Sequence, residues 1–401
     1  MSADDNSQKW WYFFNGVKNM GNKKKSRRLS GEVKSLLVHR LATINLRKKK
    51  HIASGSYGDV YKVSVKIKAP DNEEELFWCA LKGGEADDIT KEIKLNSSLT
   101  KHDKSSEEHN IIKLIAHLEN KGRNYALYPF CELILGDLFK EQKNILFSLR
   151  STNPNLHLAL CIQLALDLLK AINYMHSNGI VHRDIKLHNI GFHLGKWCLL
   201  DLGCATDILG DKEELEQEVK GSALYLHPRC INENSFNRTT NNDIYALGQV
   251  LNILAKKGFY EQSCHLNIPQ LLYQKMTSYE ESQKNFKENP PTFLDEFNQQ
   301  NRGDIHSSFF FIISKMVSMD PREQPKGDEL FEILSYLKKE LIKQYSSIEI
   351  QLNDFYQGLI NSDKRTVIKN RDLTFFGNPN NKHKQNVDAV NINNQKSCPS
   401  I

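Results

Sequence analysis

The sequence predicts an α+β chain of two lobes, a small mostly β lobe followed by a larger α-helical one. Two stretches carry that expectation. "HIASGSYGDVYKVSVKIK" (51–68) opposes Val60, Lys62 and Ser64 to Tyr61, Val63 and Val65, the alternation of a half-buried strand with glycines at its turn. "LHLALCIQLALDLLKAINYMHSNG" (156–179) repeats Leu158, Ile162, Ala165, Leu169 and Ile172 at intervals of four and three, the helical period, and Gly179 stands where a C-terminal cap would close it.

Three zones follow along the 401 residues. Residues 1–47 join the aromatic run "WWYFF" (10–14) to the basic run "NKKKSRRLS" (22–30) and form an N-terminal extension. The aromatic run has two readings: an aromatic latch packed on the body, which is favoured, or a membrane-surface contact together with the basic run. Residues 48–345 alternate strand-like and helix-like patterns, the small lobe over 48–133 and the large lobe over 134–345. Residues 346–401 are a C-terminal extension, and from about residue 370 its Asn, Lys and Gln content is too polar to offset chain entropy by burial.

In the small lobe, a glycine-bearing hairpin is followed by the buried strand "LFWCALK", which ends on Lys82, and by the helical pattern "ITKEIKLNSSL", which carries Glu92. A half-buried lysine near phosphate requires an anion to fix it, and a helix packed on the sheet can supply Glu92. Gly55 and Gly58 let backbone N–H groups approach phosphate, and Val60 offers an apolar edge to a flat base. Glycine turns in hairpins are common, so this motif alone specifies little.

At the start of the large lobe the helix delivers the chain to "GIVHRDIKLHNIGF" (179–192), and "WCLLDLG" (197–203) pairs with it around an "LGK" turn. Asn189 and Asp201 at adjacent strand mouths are hard oxygen ligands suited to Mg²⁺, which keeps waters and bridges phosphates. Asp184 remains to accept a proton.

Composition excludes several classes. The net charge of +6 is mild, and the basic runs and the acidic "DKEELEQE" (211–218) read first as solvated faces, with no specific nucleic-acid partner expected. The eight cysteines form no Cys-x-x-Cys pair, which suits buried reduced thiols in a cytoplasmic protein. The longest uninterrupted apolar runs, such as "SFFFIIS" near 310, are too short to cross a bilayer, so a soluble chain is expected, with membrane association the disfavoured alternative.

Taken in order, "GSYGDVY", "CALK", "KEIKL", "NIIKL", "HRDIKLHN", "DLG" and "DIYALG" (243–248) resemble the motifs of eukaryotic-type protein kinases over residues 48–345. The resemblance implies the two-lobed protein-kinase fold and transfer of the γ-phosphate of ATP, with Mg²⁺, to a protein substrate. By position it implies nucleotide contacts from Ala53, Gly55, Ser56, Gly58, Val60, Ala80 and Lys82. Lys82 would pair with Glu92, Asp184 would be the base, Lys186 would steady the γ-phosphate, and Asn189 and Asp201 would hold the metal. Lys186, two residues after Asp184, resembles the serine/threonine branch.

Four departures bear on activity. Ala53 replaces a glycine of the loop, at a cost of at most about 1 kcal/mol. Leu202 replaces a phenylalanine and is expected to pack under the Glu92 helix. Asn96 stands where an apolar residue is usual, and as a buried unsatisfied amide it would cost about 1–3 kcal/mol. Arg229 and Gln324 stand where a glutamate and an arginine usually pair, so Arg229 is expected to use Glu323 or another nearby acid. In "CATDILGDKEELEQEVKGS" (204–222) the evident hydroxyls are Thr206 and Ser222, and Glu214 or Glu216 is a candidate partner for Arg183. Asn96 and the 229/324 exchange keep open the alternative of a pseudokinase acting as a regulatory interaction module.

Overall fold

Alternating apolar residues build the small lobe. In a computed structural model, which describes residues 32–37, 40–55, 58–68, 74–100, 109–120, 123–141, 143–208, 219–255, 268–300 and 304–367, six antiparallel strands form one sheet. They are β1 (Glu32–Leu37), β2 (Arg40–Gly55), β3 (Gly58–Lys68), β4 (Glu74–Gly83), β5 (Ala116–Asn120) and β6 (Arg123–Pro129), in the order β1-β2-β3-β4-β6-β5. Val63 and Val65 point to one face and are fully buried there with Cys79, Leu81 and Leu127. The other face receives helix α1 (Ala86–Thr100), whose Ile89 and Ile93 pack with Ala126, Tyr128 and Ala80.

The chain crosses through β7 (Leu133–Ile134), α2 (Leu135–Glu141) and α3 (Lys143–Thr152) to α4 (Pro154–Ser177). Asn153 caps α4 by accepting from the Leu156 N–H at 3.1 Å, and Pro154 occupies its first turn. The helix therefore begins ahead of the periodic stretch, and Gly179, at φ +73°, follows its end as expected. By length and composition α4 is apolar enough to cross a bilayer, which the short uninterrupted runs did not suggest. In the fold 83% of its most apolar window is buried, so α4 is the central helix of the large-lobe core.

Around α4 stand α5 (Arg229–Asn232), α6 (Thr240–Ala255), α7 (Ile268–Gln283), α8 (Phe293–Gln300), α9 (Ile305–Met316), α10 (Gly327–Gln344) and α11 (Ile348–Val367). Between α4 and α5 lie β8 (Ile180–Val181), the hairpin β9 (Ile190–His193) with β10 (Lys196–Leu199), and β11 (Thr206–Asp207), which pairs with β8. The expected small β lobe and larger helical lobe are both present. All six cysteines among the described residues are free and buried.

Packing continues past both boundaries expected from sequence. β2 starts before residue 48, and beyond residue 345 α11 places Leu352, Tyr356 and Leu359 in the large-lobe core. Tyr356 packs on Phe192 and Trp197, and its hydroxyl accepts from the Trp197 indole N–H at 3.0 Å. Tyr356→Phe leaves that buried donor without its acceptor, so a loss of about 1–3 kcal/mol is expected, read as a lower urea midpoint at unchanged slope. The "WWYFF" run, Ser56, Glu214, Glu216 and the polar tail lie outside the described residues.

Candidate active site

The loop after β8 is fixed from below by one carboxylate. Asp243, 1% exposed in the first turn of α6, accepts the His182 N–H at 2.8 Å, the Arg183 N–H at 2.9 Å and His176 Nε2 at 2.9 Å. Burial opposes its charge, but the His176 hydrogen bond and the nearby imidazoles outweigh it and hold the carboxyl below the ordinary value. Arg183 takes φ +66° here, and its Nε donates to the Cys204 carbonyl at 2.7 Å.

This turn presents Asp184, 6% exposed, with both carboxylate oxygens engaged. Asn189 Nδ2 donates to Oδ2 at 2.9 Å and to the Asp184 carbonyl at 2.9 Å, and Lys186 Nζ lies 2.7 Å from Oδ2. The Ser222 hydroxyl donates to Oδ1 at 2.9 Å and accepts from Lys186 Nζ at 3.1 Å. Asp184, Lys186 and Asn189 thus converge, as their spacing in "HRDIKLHN" suggests.

Asp201 follows β10 at φ +60° and caps the 3₁₀ turn 202–204 by accepting the Gly203 N–H at 3.0 Å. Lys82 Nζ donates to Asp201 Oδ1 at 2.6 Å and to Glu92 Oε2 at 2.6 Å. Burial works against the ammonium, yet the two carboxylates raise the Lys82 pKa. Burial likewise opposes charge on Asp201, and Lys82 overcomes it to hold that carboxyl low. On Glu92 burial prevails and pushes the carboxyl up, against the pull of Lys82.

Strand register gathers the remaining small-lobe residues. Gly55 pairs with Gly58, Ala53 with Val60, and Val60 with Lys82, so Ala53, Val60, Ala80 and Lys82 share one face of the sheet. Gly58 takes φ +128°, and a Cβ there would collide with the Gly83 carbonyl oxygen. Only glycine fits that turn.

The donor set suits Mg²⁺. Because Asn189 commits its amide nitrogen to Asp184, its oxygen is the atom left for a cation, and no hydrogen bond among the described residues engages Asp201 Oδ2. Among those residues no three His, Cys, Asp or Glu side chains cluster to cage a metal, so phosphate and water would complete the shell, as Mg²⁺ prefers.

Comparison with known proteins identifies the architecture: the family model for the protein kinase domain matches residues 46–364. The chain belongs to the protein kinase family. Among similar proteins, this kinase chain is 28% identical over 205 residues to the serine/threonine-protein kinase TIO of Arabidopsis thaliana, covering 50% of this chain and 14% of that protein. It is 28% identical over 223 residues to the Aurora kinase of Candida glabrata, covering 54% and 55%. It is also 28% identical over 232 residues to the dual serine/threonine and tyrosine protein kinase of Mus musculus, covering 55% and 22%. The chain spans little more than half the length of the Aurora kinase and much less of the other two.

One sequence expectation about this kinase domain needs correcting. Asn96 is fully buried but not unsatisfied: its Nδ2 donates to the Ile112 carbonyl at 2.9 Å, and its Oδ1 accepts the Leu114 N–H at 2.9 Å. Arg229 finds a nearby acid, as expected, though not Glu323. It pairs with Glu233, one helical turn on, at 2.8 and 2.9 Å and lies over the Phe236 ring, while Glu323 pairs with Lys315 at 3.3 Å. Gln324 bonds instead to Asn241 at 3.0 Å and the Ser318 carbonyl at 3.2 Å. Leu202 is buried in the core, and the 202–204 turn that carries it lies against α1, as expected.

Three groups around the kinase site gave no usable sequence signal. Lys275 of α7 donates to the Leu224 and Leu226 carbonyls at 2.7 and 2.8 Å, bracing the segment after Ser222, and burial brings its pKa down to about 7. Tyr128 of β6 donates to Glu92 Oε1 at 2.7 Å. Ser222 is conspicuous in sequence as a hydroxyl, yet nothing there links it to Asp184.

Proposed function

We propose that the chain is a protein serine/threonine kinase that transfers the γ-phosphate of Mg-ATP to hydroxyls of protein substrates. The observation that carries the reading is the convergence of Asp184, Lys186 and Asn189 on one loop, with Lys82 held by Glu92 and Asp201 beside it. In this reading Asp184 orients an acceptor hydroxyl and takes its proton as the oxygen bonds to the γ-phosphorus and the bond to the ADP oxygen breaks. Lys186 balances charge next to Asp184, and Lys82 clamps the α- and β-phosphates. Mg²⁺, when bound at Asn189 and Asp201, supplies neutralisation of phosphate charge. Ala53, Gly55, Gly58, Val60 and Ala80 form the nucleotide roof.

Serine/threonine acceptors are favoured by Lys186 and by relatives described as serine/threonine kinases. The pseudokinase alternative drew its weight from Asn96 and the 229/324 exchange, and the hydrogen bonds at these positions support the kinase reading instead. The site residues belong to a kinase domain flanked by the N-terminal aromatic and basic segment and the polar C-terminal tail, in a cytoplasmic protein.

The test is transfer of labelled γ-phosphate from Mg-ATP to a generic basic protein, followed by phosphoamino-acid analysis. Label on serine and threonine, abolished by EDTA and restored by Mg²⁺, is the expected result. Nucleotide binding without transfer would favour the pseudokinase, and label on tyrosine alone would overturn the acceptor assignment.

A further inference from the structure

Helix α1 carries two polar contacts, one turn apart, that are fully enclosed. At the first, Glu92 is 2% exposed and divides its two oxygens between Lys82 at 2.6 Å and the Tyr128 hydroxyl at 2.7 Å. Tyr128 lies on β6 directly opposite Ala80 of β4, two residues before Lys82, so the sheet that carries the lysine also carries the second anchor of its partner. At the other contact, both sides of the Asn96 amide are matched to the backbone of residues 112–114. That segment is itself tied to β10, the strand leading to Asp201, through Ile112 N–H to the Leu199 carbonyl and Leu199 N–H to the Asn110 carbonyl, each 2.9 Å.

Apolar contacts such as those of Ile89 and Ile93 tolerate sliding. Buried hydrogen bonds do not, because a shift of a few ångströms strands every donor and acceptor without water. An outward movement of α1 would unpair the Tyr128 hydroxyl, the Glu92 carboxylate, the Asn96 amide and two backbone groups together.

The stretch between Asp201 and Pro228 offers little that modification could use. Residues 209–218 contain no Ser, Thr or Tyr. Of the hydroxyls that flank them, Thr206 and Tyr225 are buried, and Ser222 is engaged with Asp184 and Lys186.

We infer that Tyr128 and Asn96 are positioning residues that lock α1 inward, so that the Lys82, Glu92 and Asp201 set is assembled by the unmodified chain. Turnover therefore does not wait for phosphorylation of the 204–222 segment. The inference rests on the kinase reading above for its activity readout, but its binding and exchange readouts do not.

The experiment uses the full chain, produced with a co-expressed protein phosphatase and checked by mass for absence of phosphate. Wild type, Tyr128→Phe, Glu92→Ala and the double variant are compared for kcat, for Mg-ATP affinity and for amide hydrogen exchange over residues 86–100. Unphosphorylated wild type is expected to turn over without a lag. Tyr128→Phe is expected to lower kcat about tenfold, the scale of one hydrogen bond to a charged group, and to speed exchange in α1. In the Glu92→Ala background, which removes the acceptor, the same change should add less than about twofold, the signature of two residues acting through one contact. Asn96→Leu, which keeps the volume and removes the amide, should also speed exchange in α1.

An equal loss in both backgrounds would overturn the inference, since Tyr128 would then act through the shape of the pocket. Wild type inert until phosphorylated would overturn it as well. If wild type binds Mg-ATP but transfers nothing, the kinase reading falls and the lock is judged on affinity and exchange: coupling between Tyr128 and Glu92 upholds it, and additivity overturns it.

Discussion

Asp184→Ala is expected to lower kcat by about 10²- to 10⁴-fold, the usual worth of a positioned general base, or about 3–5 kcal/mol of transition-state stabilisation. Asp184 takes hydrogen bonds from Asn189 and Ser222 and faces Lys186, so its removal also releases the amide and the ammonium that it holds. The lysine that would clamp the nucleotide is fixed separately, by Glu92 and Asp201. Mg-ATP affinity should consequently change far less than kcat. Steady-state transfer assays beside a direct binding titration check this, and a variant retaining more than about a tenth of wild-type turnover would remove Asp184 from the role of base.

The largest stability effect is expected at Asp243, which no phosphate or acceptor needs to touch. Asp243→Ala leaves the buried N–H groups of His182 and Arg183 without an acceptor, at about 1–3 kcal/mol each, so a loss of about 2–6 kcal/mol follows. That is a large share of a total of about 5–15 kcal/mol. Activity should fall with it even below the melting range, because the turn presenting Asp184 loses its support. The pH dependence has a definite sign. The folded carboxyl is held below its ordinary 3.8, so its contribution is complete above pH about 4 and is lost as pH falls through the folded value. The stability gap between wild type and Asp243→Asn, measured by urea unfolding, should shrink on acidification below pH 4 and stay constant above it.

How legible the molecule was depended on distance along the chain. Lys82, Glu92, Asp184, Asn189 and Asp201 were readable because each sits in a short segment whose strand or helix pattern fixes its direction. The strand alternation at Val63 and Val65 was readable for the same reason. The Tyr128 contact was not, because it depends on which residue of β6 falls opposite Ala80, a register that no local pattern states. Asn96 looked costly because its partners at 112 and 114 lie on another segment. The start of α4 lies ahead of its periodic stretch and is signalled by Asn153 as cap and Pro154 in the first turn, not by the period. Arg229 was legible in part: a nearby acid was expected, Glu323 was the one named, and Glu233, four residues on in the sequence, is the partner.

The seat of Tyr356 on Trp197 also sets an order of events during synthesis. The two residues are 159 positions apart, and at about 5–20 residues per second the ribosome needs roughly 10–30 s to make the second after the first. Throughout that interval the hairpin between Asn189 and Asp201 lacks the aromatic partner that closes its outer side. A nascent chain therefore emerges with Asp184, Asn189 and Asp201 translated before α11 can pack on the hairpin that separates the last two. Truncation anywhere before Tyr356 would leave the Trp197 indole N–H without that acceptor and the hairpin without that ring.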